Sequence, residues 1–171
     1  MKIIFDLDLN RCVSCGACIM ACMDQNDIDP REQRLYRHVH TLEQTKDDGT
    51  LFVEEISISC MHCEDAPCIK GCPAGCLQKD GEMGLTIYDN SNCIGCHSCS
   101  MACPFAAPCF GSDGKMEKCD GCYVRLQNGL KPACVKVCPF EALKAFTEEE
   151  YSDVKMEKSL HAISEMILKG S

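Results

Sequence analysis

The stretch "CIGCHSCSMACP", residues 93 to 104, puts four cysteines and a proline into twelve residues. Thiols at that density can cross-link as disulfides, hold a structural zinc ion or ligate an iron–sulfur cluster. The pattern recurs along the chain. Cys12, Cys15, Cys18 and Cys22 have the same C-x2-C-x2-C-x3-C spacing as Cys93, Cys96, Cys99 and Cys103. In Cys60, Cys63, Cys68 and Cys72 the second gap widens to four residues, and in Cys119, Cys122, Cys134 and Cys138 to eleven. Every set ends in C-x3-C, and Pro73, Pro104 and Pro139 follow the last three sets, with Met23 in that place after the first.

Disulfides suit this pattern least. The N-terminal "MKIIFDLDLNRC" has no apolar core region and no cleavage site of a secretory signal, so a reducing cytoplasmic setting is expected, where structural disulfides are rare. Export bound to a signal-bearing partner would be the alternative route. Zinc is the serious rival, since two C-x2-C knuckles make the usual four-cysteine zinc site. A tetrahedral ion, however, poorly accommodates three consecutive thiols at x2 spacing, because that loop must curl around something wider. A cubane offers corners spread over several ångströms. A C-x2-C-x2-C loop wraps three of them, and the fourth cysteine, followed by proline, reaches the other cluster of a pair, as in bacterial ferredoxins. Proline fixes φ and lacks an N–H, which turns the chain away after that ligand. Four sets of four therefore predict four [4Fe–4S] clusters and no zinc; a cysteine-rich zinc scaffold is the remote alternative.

The composition agrees. The chain has 171 residues, enough for one large domain or two small ones, and 18 of them are cysteine. With no Trp, six Phe and four Tyr, the organic core is thin, so inorganic cohesion is expected. The net charge of −9 argues against nucleic acid, and no apolar run approaches the roughly 18 residues of a membrane span, so no direct membrane insertion is expected.

The elements that must position these thiols are short. Intervals of 37, 20 and 15 residues separate the four sets. In the first interval, "RLYRHVHTLE" and "TLFVEEISIS" flank the turn signal Asp48-Gly49, which predicts a β-hairpin. After each last cysteine the apolar spacing becomes helical, as in "PFEALKAF". Short strands, tight turns and short helices around clustered cysteines predict an α+β fold in small units. From Thr147 to Lys169, Tyr151, Val154, Leu160, Ile163 and Ile167 recur at helical spacing, with Glu148 to Glu150 at the start and Gly170 at the end. That helix either packs on its own domain or docks on another subunit.

Residues 56 to 146, with "CMHCEDAPC", "CDGC" and "KPACVKVCP", closely resemble the iron–sulfur subunit of DMSO reductase and its relatives, the four-cluster partners of molybdenum or tungsten bis-pterin oxidoreductases. The resemblance covers residues 1 to about 147, and the missing proline after the first set is usual in these relatives. It implies a crosswise exchange of ligands. Cys12, Cys15 and Cys18 would share a cluster with Cys138, and Cys119, Cys122 and Cys134 with Cys22. Cys60, Cys63 and Cys68 would share one with Cys103, and Cys93, Cys96 and Cys99 with Cys72. Two bacterial-ferredoxin-like units follow, one inserted in the other: residues 1–55 plus 107–147, carrying the hairpin at about 34–58, and residues 56–106, with residues 148–171 as the C-terminal amphipathic helix. Some relatives, such as nitrate reductase, carry tryptophan at the position of Cys96 and a [3Fe–4S] cluster; here four cubanes are expected.

The implied function is electron transfer through the clusters to or from a large catalytic oxidoreductase subunit, with a further redox or flavin subunit as another conceivable partner. The chain itself would be non-catalytic. The alternatives are a free-standing polyferredoxin carrier and a subunit of a hydrogenase or formate dehydrogenase complex; tungsten aldehyde oxidoreductases contain similar subunits. No phosphate-cradling loop is present, since "CVSCGACIMAC" is explained by cluster wrapping. His62 and His97 lie inside cluster loops and are expected at the surface, with a hydrogen bond to sulfur as the alternative. His38 and His40 alternate along the hairpin toward solvent or a partner. Lys118, beside Cys119, reads as a solvated lysine, with a role in raising a cluster potential as the alternative. Cys76 and Cys109 read as packing residues.

Overall fold

The computed structural model describes residues 1–169, so the expected helix end at Gly170 lies outside the described residues. Four antiparallel two-stranded sheets carry the fold. Strand β1 (Ile3–Leu7) pairs with β8 (Leu143–Thr147), joining the two ends of the cysteine-bearing region. Strands β2 (His38–Thr45) and β3 (Leu51–Ile58) form the hairpin, closed at Asp48, whose carboxylate accepts from the Thr50 N–H at 2.8 Å. Strand β4 (Leu77–Lys79) pairs with β5 (Thr86–Tyr88), and β6 (Cys109–Phe110) with β7 (Met116–Glu117).

Five short helices carry or follow cysteines: α1 (Ala17–Gln25), α2 (Pro67–Lys70), α3 (Ser98–Ala102), α4 (Tyr123–Gln127) and α5 (Ala133–Val137). The proline rule explains their lengths. Helices α2, α3 and α5 stop before the last cysteine of their sets, where the chain turns through Pro73, Pro104 or Pro139, so the helical segments expected after these cysteines, as in "PFEALKAF", are instead turns leading into β4, β6 and β8. In each turn the third residue after the cysteine, Gly75, Ala106 or Glu141, takes left-handed φ and donates its N–H to that cysteine's carbonyl at 3.2–3.3 Å. Helix α1, with Met23 instead of proline, runs on through Cys22 to Gln25.

The core is small and rich in sulfur. One cluster joins Ala66, Cys68, Cys76, Leu77, Cys99 and Met116; a second joins Cys22, Ile28, Tyr36 and Cys109; a third joins Cys18, Cys134 and Leu143. Cys76 and Cys109 are both buried there. Leu143 and Val39 of the hairpin pack on the same third cluster, so the hairpin base is anchored while residues 41–53 are exposed.

Helix α6 (Glu148–Lys169) leaves β8 through a capping box. Thr147 Oγ1 accepts from the Glu150 N–H at 3.2 Å, and the Glu150 carboxylate accepts from the Thr147 N–H at 2.8 Å. The first turns rest on the β1–β8 pair through the Phe146 and Tyr151 rings, 6.0 Å apart, and through Lys158 on Asp6 at 2.7 Å. Met156, Leu160 and Ile163 are exposed, so the helix packs through Tyr151 and Lys158 while these apolar side chains stay bare.

Gly75 and Gly95 have the same φ of +64°, and their surroundings differ. A Cβ on Gly95 would stand 2.8 Å from the Gly114 carbonyl oxygen in the β6–β7 turn, whereas nothing lies within 4 Å of one on Gly75. Gly75→Ala is expected to cost about 1–2 kcal/mol of left-handed strain, and Gly95→Ala to cost about 1–3 kcal/mol more from overpacking. Denaturant unfolding of the two variants side by side checks the difference.

Candidate metal centres

The four cysteine loops share one backbone device. The residue just before the second cysteine of each set, Ser14, His62, Gly95 or Gly121, takes φ of +51°, +46°, +64° or +79°. A left-handed residue there curls the C-x2-C segment and turns successive N–H groups inward as an anion-binding concavity. Gly121 N–H donates to Cys119 Sγ at 3.4 Å, and Cys76 N–H and Met116 N–H donate to Cys72 and Cys93 at 3.3 Å.

Side chains from distant sets meet around shared spaces. One cavity is lined by Cys12, Cys15, Cys18 and Cys138, with Val13, Val39, Phe140 and Leu143 as its apolar wall. A second is lined by Cys22, Cys119, Cys122 and Cys134, with Arg37 and Cys60 also on its wall. A third is lined by Cys72, Cys93, Cys96 and Cys99, with Cys76 beside them. Of the remaining four, Cys68 lies within charge range of both Cys60 and Cys103. Each of the three cavities gathers three thiols of one sequence set with at least one thiol of another.

Among the described residues, no three His, Cys, Asp or Glu side chains stand close enough to share one metal ion. The chemistry of the cavities fits a cubane: four thiols around an apolar space, with inward N–H groups. Burial pushes the Cys60, Cys99 and Cys122 thiols up to about 11, and it raises Cys22, beside Cys119, Cys134 and Cys122, further still. Metal binding must therefore displace protons at these sulfurs. Cys96 is exposed, and the Ser98 side chain and N–H hold its thiol below the ordinary value.

Two expectations are corrected. His62 is buried at 7% exposure: its ring lies 5.4 Å from the Phe5 ring, and Nδ1 accepts from the Thr86 N–H at 3.0 Å. Burial, with Lys118, Lys79 and Arg37 nearby, keeps the imidazole neutral, so its one proton sits on Nε2, 3.8 Å from Cys119 Sγ. His62 thus belongs to the loop of Cys60 and Cys63 and touches a thiol of the next grouping. Lys118 is 1% exposed; Nζ donates to the carbonyls of Thr86 and Cys119 (the latter at 2.7 Å) and lies 5.9 Å from the Tyr88 ring centroid. The reason is the same for both residues: strand β5 closes over them, a contact between segments that local spacing does not encode. His97 is exposed as expected; His40 is exposed and stacks on half-buried His38.

Sequence reasoning passed over Arg37. It is buried at 6% exposure, its guanidinium donates to Ser57 Oγ at 2.9 Å, and it lies within charge range of Cys134, Cys119, Cys18 and Cys22. The only available signal was a basic residue inside an otherwise alternating segment.

Residues 51–148 match the 4Fe-4S dicluster domain family, and residues 9–23 match a 4Fe-4S binding domain. The chain is 42% identical over 146 residues to the B subunit of anaerobic dimethyl sulfoxide reductase from Escherichia coli, covering 81% of this protein and 70% of that one. It is 41% identical over 139 residues to the thiosulfate reductase electron transfer subunit PhsB of Salmonella typhi, covering 80% and 71%. It is 33% identical over 183 residues to the formate dehydrogenase iron–sulfur subunit of Wolinella succinogenes, covering 93% and 88%. The protein belongs to this family of iron–sulfur electron-transfer subunits. Its fold is accordingly built of ferredoxin-like 4Fe-4S domains of mixed helix and strand, and four [4Fe–4S] clusters are its cofactors.

Replacing His62 with Phe keeps a ring against Phe5 and leaves the buried Thr86 N–H without an acceptor. The expected cost is about 1–3 kcal/mol with iron content unchanged, measured by denaturant unfolding of the anaerobic holoprotein.

Proposed function

We propose that the chain is the electron-transfer subunit of a molybdenum or tungsten bis-pterin oxidoreductase, with four cubanes in a line and the sixteen cysteines of the four sets as their ligands. One relative is named an electron transfer subunit of a reductase and another an iron–sulfur subunit of a dehydrogenase, which supports a role in passing electrons to or from a catalytic subunit by a chain that is non-catalytic by itself. The ligand sets are those of the crosswise exchange: Cys12, Cys15, Cys18 and Cys138; Cys119, Cys122, Cys134 and Cys22; Cys60, Cys63, Cys68 and Cys103; Cys93, Cys96, Cys99 and Cys72. The two units are residues 1–55 plus 107–147 and the inserted residues 56–106.

The observation that carries this reading is the order of the four groupings. Cys18 and Cys22 share α1, and Cys134 lies in α5 with Cys138 at its C-terminal cap, which ties the Cys12 site to the Cys119 site. Cys60 lines the Cys119 cavity and His62 approaches Cys119, which ties that site to the Cys60 site. Cys68 with Cys72, and Cys99 with Cys103, tie the Cys60 site to the Cys93 site. Exposure supports this order. Cys15 and Cys96, the two exposed thiols, fall one at each end, and the two middle sites have none. Beside them stand exposed apolar residues, Val13 and Phe140 at one end and Ile94 at the other. A conductor that meets partners needs sheltered middles and accessible ends; an apolar rim suits docking.

When bound, each cubane accepts or gives one electron without bond rearrangement. The chain's own residues exclude water from the middle sites, aim N–H groups at the sulfurs and hold the spacing, which are the means by which proteins tune such centres.

Crosswise ligation makes a specific forecast for cysteine variants. Cys22→Ser and Cys122→Ser are expected to abolish the same EPR signal, and Cys15→Ser a different one. Loss of one shared signal by Cys22→Ser and Cys15→Ser would contradict the exchange. The partner is tested on the complex purified from its source. Dithionite-reduced clusters that reoxidise with dimethyl sulfoxide or thiosulfate identify a reductase, and clusters that formate reduces identify a dehydrogenase. A chain that purifies alone and responds to none of these is a free polyferredoxin.

A further inference from the structure

Arg37 and Lys118 are cations in the wrong place for an ordinary protein. Both are buried, at 6% and 1% exposure, and among the described residues neither has a carboxylate within ion-pair distance. Their hydrogen bonds go only to neutral oxygens: Ser57 Oγ for Arg37, and the Thr86 and Cys119 carbonyls for Lys118. An unpaired buried charge costs several kcal/mol, so it persists only where another charge compensates it. What surrounds both cations is sulfur. Arg37 lies within charge range of Cys18, Cys22, Cys119 and Cys134, and Lys118 within range of Cys60 and Cys68, directly beside Cys119.

We propose that Arg37 and Lys118 are fixed counter-charges of the clusters and determine their reduction potentials, Arg37 acting on the Cys12 and Cys119 sites and Lys118 on the Cys119 and Cys60 sites. This rests on the four-cubane reading above. The two influences overlap on one cluster, the Cys119 site, which also receives the His62 Nε2–H. The fourth site stands apart: neither Arg37 nor Lys118 is among the groups that act most strongly on the Cys96 and Cys99 thiols. Half-buried Lys79, held by the His62 and Gly84 carbonyls at 2.9 and 2.7 Å, lies within range of Cys60, Cys63 and Cys68 and adds to the Cys60 site alone.

The direction follows from the electron count. Reduction adds one electron to a cubane, making the cluster with its thiolates one charge more negative. A fixed cation nearby favours that state and raises the potential, and its removal lowers it. The cations are positioning charges that touch no substrate, and the potential is the readout a purely structural role would not move.

The test is an EPR-monitored redox titration of the anaerobic holoprotein, with each signal assigned by one serine variant per site. Lys118→Met is expected to lower the midpoints of the Cys119 and Cys60 clusters, and Arg37→Met those of the Cys119 and Cys12 clusters. The Cys93 cluster stays unmoved in both, and Lys118→Arg and Arg37→Lys restore the parent values. Lys79→Met, at a more exposed residue, lowers only the Cys60 midpoint and serves should either buried variant fail to assemble. Full iron with unmoved midpoints, or a shift shared equally by all four clusters, overturns the proposal. Protein without iron or sulfide in the unmutated chain would instead overturn the four-cubane reading on which it rests.

Discussion

Opposite charges held together away from water are the interaction on which this structure depends. The protein buries a guanidinium and an ammonium that, among the described residues, have no carboxylate within ion-pair distance, and places thiols that must lose protons to bind iron within charge range of both. In the proposed reading, clusters ligated by four thiolates supply the compensating charge and also supply cohesion. Each of the three core groups contains cysteines from the four repeated sets, and the core holds few large apolar side chains. Charge, packing and redox function are therefore carried by the same atoms.

The polypeptide contributes curvature. Four loops place a left-handed residue before the second cysteine, and three end in a proline turn closed by an N–H onto the last cysteine's carbonyl. Ser14 and His62 adopt that conformation without glycine's freedom, which is tolerable where the loop is held by what it encloses. The one helix that runs past its last cysteine, α1, is the one without the proline. Small sheets then lock the ends: β1 against β8 joins positions far apart in sequence, and α6 is fastened to that pair by its capping box and Lys158.

Much of this was legible in the residues. The C-x2-C-x2-C-x3-C spacing, the prolines after Cys72, Cys103 and Cys138, the Asp48-Gly49 turn and the helical tail all encode local geometry, and local geometry is what spacing can express. The burial of His62 and Lys118 was not legible, because both are closed over by β5, a strand that reaches them only through tertiary packing. Arg37 was hidden for the same reason: its surroundings come from α1, α5 and the loop of Cys119. The tail showed its amphipathic stripe in sequence, yet only the folded chain separates the part that packs, around Tyr151, from the exposed Met156, Leu160 and Ile163.

The most direct measurement of the central claim is the anaerobic iron and acid-labile sulfide content of the chain, with EPR of the dithionite-reduced protein on the same sample. The account predicts about sixteen irons and about sixteen sulfides per chain, with the broadened signals of magnetically interacting reduced cubanes. About four zinc ions per chain and no sulfide would contradict it, leaving a metal-stapled scaffold in place of a conductor.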